Sequence, residues 1–85
     1  MSNIELIDFY AEWCGPCQAM NPIIDELEKE LKDVKFTKIN VDENGEEAQK
    51  YNVMSIPTYI VKKNNEIVDQ FSGIQTKDEM MEKLK

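Results

Sequence analysis

Ile4-Glu5-Leu6-Ile7-Asp8-Phe9-Tyr10, followed after Ala11-Glu12 by Trp13-Cys14-Gly15-Pro16-Cys17, is the stretch that decides the fold. Its first seven residues are mostly apolar, as in a strand buried on both faces, with Asp8 as the interruption. Its last five hold the only two cysteines of the chain. Beyond them, Met20, Ile23, Ile24, Leu27 and Leu31 recur at helical spacing from Cys17 to about Lys32. Two thiols two residues apart at a strand-to-helix junction are placed for reversible disulfide chemistry. A helix start favours an anion there, because its free N–H groups and dipole stabilise a thiolate, and the thiolate is the nucleophile.

Composition narrows the class. The chain has 85 residues, enough for one domain over 1–85 with a modest core. A C-x-x-C loop closes too few residues to constrain the unfolded chain much, so the cysteines read as chemical rather than structural. Net charge is −7 and every basic residue is Lys. Without Arg, bidentate phosphate or guanine contacts are missing, and the net charge repels nucleic acid and anionic lipid. The chain has no His, which excludes His-ligated metal and Cys-His nucleophile pairs. No apolar run approaches a membrane span and no basic leader precedes Ile4. The expectation is a cytoplasmic monomer, in a compartment that keeps thiols available.

Working outward, Val34–Val41 alternates as a second strand, and Asp42-Glu43-Asn44-Gly45 is turn chemistry. Glu46–Tyr51 makes a short helix with Ala48 and Tyr51 inward. Thr58–Val61 is a strand of high β propensity, Lys63–Glu66 a hairpin loop, and Ile67–Ser72 the return strand, ended by Gly73. Thr76, with Glu79 three residues on, is a capping box for a last helix whose apolar side is Met80, Met81 and Leu84. Pro22 stands inside the first helix and predicts a kink. The order is β-α-β-α-β-β-α, an α/β fold. The helix between the first two strands makes them parallel with a right-handed crossover, and the last two form a hairpin. The expected sheet is four-stranded and mixed, in order 2-1-3-4, with helices on both faces.

Each candidate group has a bland reading beside the chemical one. Cys14, just before the helix, is expected to expose its sulfur, with Cys17 one turn in and more buried. Half of a zinc site is the alternative, but a tetrahedral site needs four ligands, and only a symmetric dimer supplies them here. Asp8 in mid-strand is costly if ionised and unpaired, so desolvation is expected to raise its pKa. Six residues before Cys14, it is placed to take a proton from Cys17; the alternative is a strand-end Asp facing solvent. Lys38, on the neighbouring strand, either reaches that carboxylate or is a plain surface Lys. Pro57 opens a strand, where general statistics favour a trans Ile56–Pro57 bond.

Taken together, Trp13-Cys14-Gly15-Pro16-Cys17, Asp8, Lys38, Ile56-Pro57-Thr58 and Gly73 resemble thioredoxin, in order and separation from about Ile4 to the C-terminus. The resemblance implies protein disulfide reduction without a cofactor or metal. It makes Cys14 the attacking thiol and Cys17 the resolving one, paired as a disulfide when oxidised. It makes Asp8 the buried acid, Lys38 its partner, Pro22 the kink proline and Pro57 a cis proline. Trp13, Gly15, Pro16, Ile56, Pro57, Ser72 and Gly73 become the surface that docks disulfide-containing proteins, and a thioredoxin reductase-type donor restores the dithiol. Departures from the family pattern are Gln18 in place of a common Lys or Arg, Tyr10 in place of a common Trp, and Asn64-Asn65 in place of Asn-Gly. With three residues before the first strand, the fold is expected to be a minimal version near glutaredoxin in size. A glutathione-using enzyme is one rival, though the Cys-Pro-Tyr-Cys and Gly-Gly-x-x-Asp features are absent. A binding module with incidental thiols is another.

Overall fold

Seven elements form the protein, in a computed structural model that describes residues 3–85. They are β1 (Ile4–Tyr10), α1 (Gly15–Glu30), β2 (Val34–Asn40), α2 (Gly45–Lys50), β3 (Thr58–Lys63), β4 (Glu66–Ser72) and α3 (Lys77–Lys83). The four strands make one sheet in the order β2-β1-β3-β4, as expected from the sequence. β1 and β2 run parallel, while β3 is antiparallel to both β1 and β4.

Alternation along β1 separates two cores. Leu6 packs with Met20, Ile24 and Leu27 of α1, Tyr59 and Val61 of β3, and Met80 and Leu84 from α3 and its cap. Ile7 and Phe9 face the other way, against Ile60, Ala48, Tyr51 and Ile56. Helices therefore cover both faces, α1 and α3 on one and α2 on the other. Asp8, between Leu6 and Tyr10, lies on the face covered by α1, beside Lys38 on β2 and Tyr59 on β3.

Element ends differ from the sequence reading for local reasons. α1 begins at Gly15, because the first helical positions have no N–H partner to lose and so accept Pro16. It runs through Pro22 and closes on Leu31, whose N–H bonds the Leu27 carbonyl at 2.8 Å. β3 extends to Lys63, because the turn at Asn64 and Asn65 is tight. Both Asn residues have positive φ, 55° and 68°, the geometry a two-residue hairpin needs. Pairing thus continues through Lys62–Ile67 and Lys63–Glu66, with a register shift at Val61/Lys62. Lys62 lays its ammonium 5.7 Å from the Tyr51 ring centre on the α2 face. The capping box at α3 is present in full: Glu79 N–H donates to Thr76 Oγ1 at 3.1 Å, and Thr76 N–H to Glu79 Oε1 at 2.9 Å.

Candidate active site

β1 delivers the chain to the site and α1 starts there. Cys14 is the N-cap of α1: its backbone is extended, its N–H bonds the Ala11 carbonyl at 3.2 Å, and its carbonyl accepts from Gln18 N–H at 3.1 Å. Its sulfur also caps the helix, accepting from the Cys17 N–H at 3.2 Å. Cys14 and Cys17 are joined as a disulfide across the first turn, with Cα atoms 5.2 Å apart. A backbone N–H and a helix N-terminus aimed at a sulfur stabilise negative charge on it.

The expected difference in exposure is absent. Cys14 is 3% exposed and Cys17 5%, because Ala11, Tyr10, Val41 and Ile56 close around both. What sets Cys14 apart is position. Its sulfur stands 3.8 Å from the Ile56 carbonyl oxygen, at the edge of the loop before β3. The Ile56–Pro57 peptide bond is cis, and the Pro57 ring is fully buried. Pro57 therefore does not reach solvent with its ring. Its carbonyl accepts from Gly73 N–H at 2.9 Å, which ties the loop after β4 to the loop before β3. Gly73 has φ of 87°, a conformation that favours glycine.

Trp13 is 70% exposed, its indole N–H held by Asp42 Oδ2 at 2.8 Å. Gly15, Pro16 and Ser72 are exposed, while Ile56 and Gly73 are half-buried. Trp13 and Ile56 share a mainly apolar groove of about 420 Å³ with Val41, Ala48, Val53 and Met54. Met54 is 92% exposed there. The sequence reading missed Val53 and Met54. Their signal was the apolar pair just before Ser55-Ile56-Pro57, outside any regular element.

Asp8 is 6% exposed, so it is not the solvent-facing strand end. Burial raises its pKa from 3.8 to about 6, against the opposing pull of the Lys38 charge. Lys38 is its cross-strand neighbour in the parallel register. Lys38 is exposed and lines a polar groove of about 250 Å³ with Cys17, Gln18, Asn21, Glu12 and Tyr10. Cys17 and Asp8 thus approach Lys38 from the helix and from the sheet. Gln18, the departure from the usual Lys or Arg, has a structural use: its amide N–H₂ donates to the Glu12 carbonyl at 2.8 Å, fastening the helix start to the loop before it. Among the described residues, no group of three or more Cys, Asp or Glu side chains is arranged to hold a metal ion.

Comparison with known proteins decides the family. The family profile described as Thioredoxin matches residues 1–85. The chain belongs to the thioredoxin family. It is 48% identical over 80 residues to the thioredoxin of Bacillus subtilis, covering 93% of this chain and 77% of that protein. The thioredoxin of Rickettsia prowazekii is 47% identical over 78 residues, covering 91% and 74%. Among solved structures, the Fasciola hepatica thioredoxin superposes with a TM-score of 0.90 at 39% identity, over 96% of this chain and 78% of that one. An N21Q mutant thioredoxin from Halobacterium salinarum gives 0.90 at 38%, over 96% and 72%. Family membership and the Cys14–Cys17 pair at the start of α1 make this chain a thiol-disulfide oxidoreductase.

Proposed function

We propose that residues 1–85 act as one domain that reduces disulfides in partner proteins, with Cys14 as nucleophile and Cys17 as resolving thiol. The observation that carries the assignment is the hydrogen bond from Cys17 N–H to Cys14 Sγ at the helix N-cap. In the dithiol such a bond stabilises charge on Cys14, whose sulfur stands 3.8 Å from the carbonyl of Ile56, a residue that also lines the Trp13 groove. Cys14 thiolate attacks one sulfur of the target disulfide, forms a mixed disulfide and releases the other target sulfur as a thiolate, which is then protonated. Cys17 gives up its proton and attacks Cys14 Sγ. The Cys14–Cys17 disulfide forms and the second target thiolate leaves. Two electrons have passed from the dithiol to the target, and a thioredoxin reductase-type donor returns them.

Asp8 accepts the Cys17 proton. With a pKa of about 6 it is mostly ionised at neutral pH, yet close enough to the thiol range to take a proton briefly. The Lys38 charge, on the neighbouring strand, favours the ionised carboxylate. The extended target chain lies along the backbone of Ile56, with Trp13, Gly15, Pro16, Ser72 and Gly73 around it. The reaction uses only sulfur and carboxyl groups of this chain and calls for no cofactor. No helix among the described residues is long and apolar enough to cross a membrane, and a cytoplasmic monomer suits a dithiol that must be kept reduced. The test is reduction of insulin disulfides by the chain with a thioredoxin reductase present. Turnover lost in Cys14→Ser supports the assignment. Turnover with glutathione alone, and none with the reductase, places the chain with the glutathione-using enzymes instead.

A further inference from the structure

Tyr59 is the one described residue with a buried side-chain polar atom that has no hydrogen-bond partner: its hydroxyl is fully enclosed and unpaired. A buried hydroxyl left alone costs on the order of 1–3 kcal/mol, so native proteins pair such groups with protein or with an ordered water. Tyr59 is also the direct cross-strand partner of Asp8 in the antiparallel β1–β3 register. Direct partners share a face, so phenol and carboxyl both rise into the layer under α1. The Tyr59 hydroxyl has no hydrogen-bond partner in the protein, the Asp8 carboxyl included. An ordered water is the ordinary partner of a buried hydroxyl that the protein leaves unpaired.

We propose that the Tyr59 hydroxyl is a positioning group for Asp8, donating a hydrogen bond through one buried water to the ionised carboxylate and thereby setting where Asp8 titrates. The inference rests on the reading of Asp8 as proton acceptor only for its use in the reaction. The charged and titratable groups around the pair are few. β2 brings Lys38 to Asp8, and α1 brings Cys17 as the first of its inward-facing residues. From α3 the buried neighbours are Met80 and Leu84, which do not titrate. From β4 the neighbour of Tyr59 is Phe71, their ring centres 5.6 Å apart. Asp69 and Lys83 beyond it are paired with each other at 3.0 Å. Electrostatics agree with proximity: the phenol is pushed up from its ordinary range, first by burial and then by the Asp8 charge.

A donor to a carboxylate favours its charged form, so losing the hydroxyl must raise the Asp8 pKa further. Tyr59→Phe keeps the ring and its packing on Phe71. The measurement is the Asp8 side-chain carboxyl ¹³C shift of the full chain from pH 3 to 9, read alongside the pH profile of insulin reduction. The midpoint is expected to rise by about one pH unit, a tenfold change in proton affinity. A midpoint that stays in place or falls overturns the inference. A midpoint that rises while the reduction profile stays put upholds Tyr59 as the group that tunes Asp8 and instead removes Asp8 from the proposed proton transfer. If Tyr59→Phe does not fold, the unsubstituted protein decides: the Tyr59 Cζ shift must follow the Asp8 titration, and a trace flat through that titration overturns the inference equally.

Discussion

Replacing Asp8 by Asn should make this protein more stable above pH 6 and leave its stability nearly unchanged below pH 4. In the unfolded chain Asp8 titrates near 3.8; in the folded protein burial raises this to about 6. A carboxyl whose pKa is raised by folding contributes most stability while protonated, below its unfolded pKa. That contribution is lost as pH climbs from about 3.8 through about 6, where the folded state binds a proton that the unfolded state has released. A displacement of about 2 pH units corresponds to about 3 kcal/mol. With Asp8 only 6% exposed, little solvent screening reduces that figure. Asn has nearly the same shape and never ionises, so the variant escapes the penalty.

The assay is equilibrium urea unfolding of both proteins with the disulfide intact, at pH 4 and pH 8. At pH 8 the variant should gain about 2–3 kcal/mol, equivalent to about 10–20 °C in Tm for a domain this small. At pH 4 the gain should shrink to a small fraction of that. Any altered hydrogen bonding by the amide adds the same offset at both values, so the change of the difference with pH is the quantity to read. Glu79, held low by its capping hydrogen bonds at Thr76, titrates in the opposite sense but is common to both proteins and cancels. An Asp8→Asn difference that is the same at pH 4 and pH 8 would refute the buried, raised carboxyl.

Three further outcomes are expected. Cys17→Ser should accumulate a mixed disulfide with a protein substrate through Cys14, detectable by non-reducing electrophoresis and mass mapping, while Cys14→Ser should give no adduct and lose reductase turnover; an adduct mapped to Cys17 reverses the roles. Trp13→Ala should raise KM for a protein disulfide roughly tenfold, as for an exposed aromatic anchor, with under about 0.5 kcal/mol change in unfolding free energy; an unchanged KM removes Trp13 from the docking surface. Thr76→Ala should cost about 1 kcal/mol by calorimetry or denaturant unfolding, since it removes the acceptor that Glu79 N–H uses at 3.1 Å.

The parts of the fold readable in the sequence were those set by local patterns. Strand and helix periods, the Thr76 box and the Asn64-Asn65 turn each act within a few residues, so element order and even sheet order followed. The disulfide partners were the only two cysteines, so no search was needed to pair them. The features that escaped depend on contacts between distant segments. Cys14 is buried because Val41 and Ile56, from loops far along the chain, close over it. The groove beside Trp13 forms only when Val53 and Met54 are brought next to it. Tyr59 reads as an ordinary aromatic in a strand until the β1–β3 register sets it opposite Asp8. A shift of that register by one residue would turn it to the other face of the sheet, so no local pattern reports the pairing.

That pairing bears on why a small domain keeps a carboxyl in its core at all. Domains of this size have only about 5–15 kcal/mol of net stability, so an ionised Asp8 consumes a sizeable part of it at neutral pH. An apolar residue at the same place would fill the space under α1 without that cost, as replacements of buried charge often do. A solvent-exposed carboxylate, near pKa 4, would be a much weaker acceptor for a thiol proton. In the proposed proton transfer, burial that raises the Asp8 pKa to about 6 brings the acceptor nearer the thiol while leaving it ionised at neutral pH. Lys38 limits the rise from one side. A donor on the other side, which the Tyr59 hydroxyl is placed to supply, would limit it from within the core. If Asp8 is the proton acceptor proposed above, stability and reactivity pull the same carboxyl in opposite directions, and burial against the Lys38 charge sets where it stands between them.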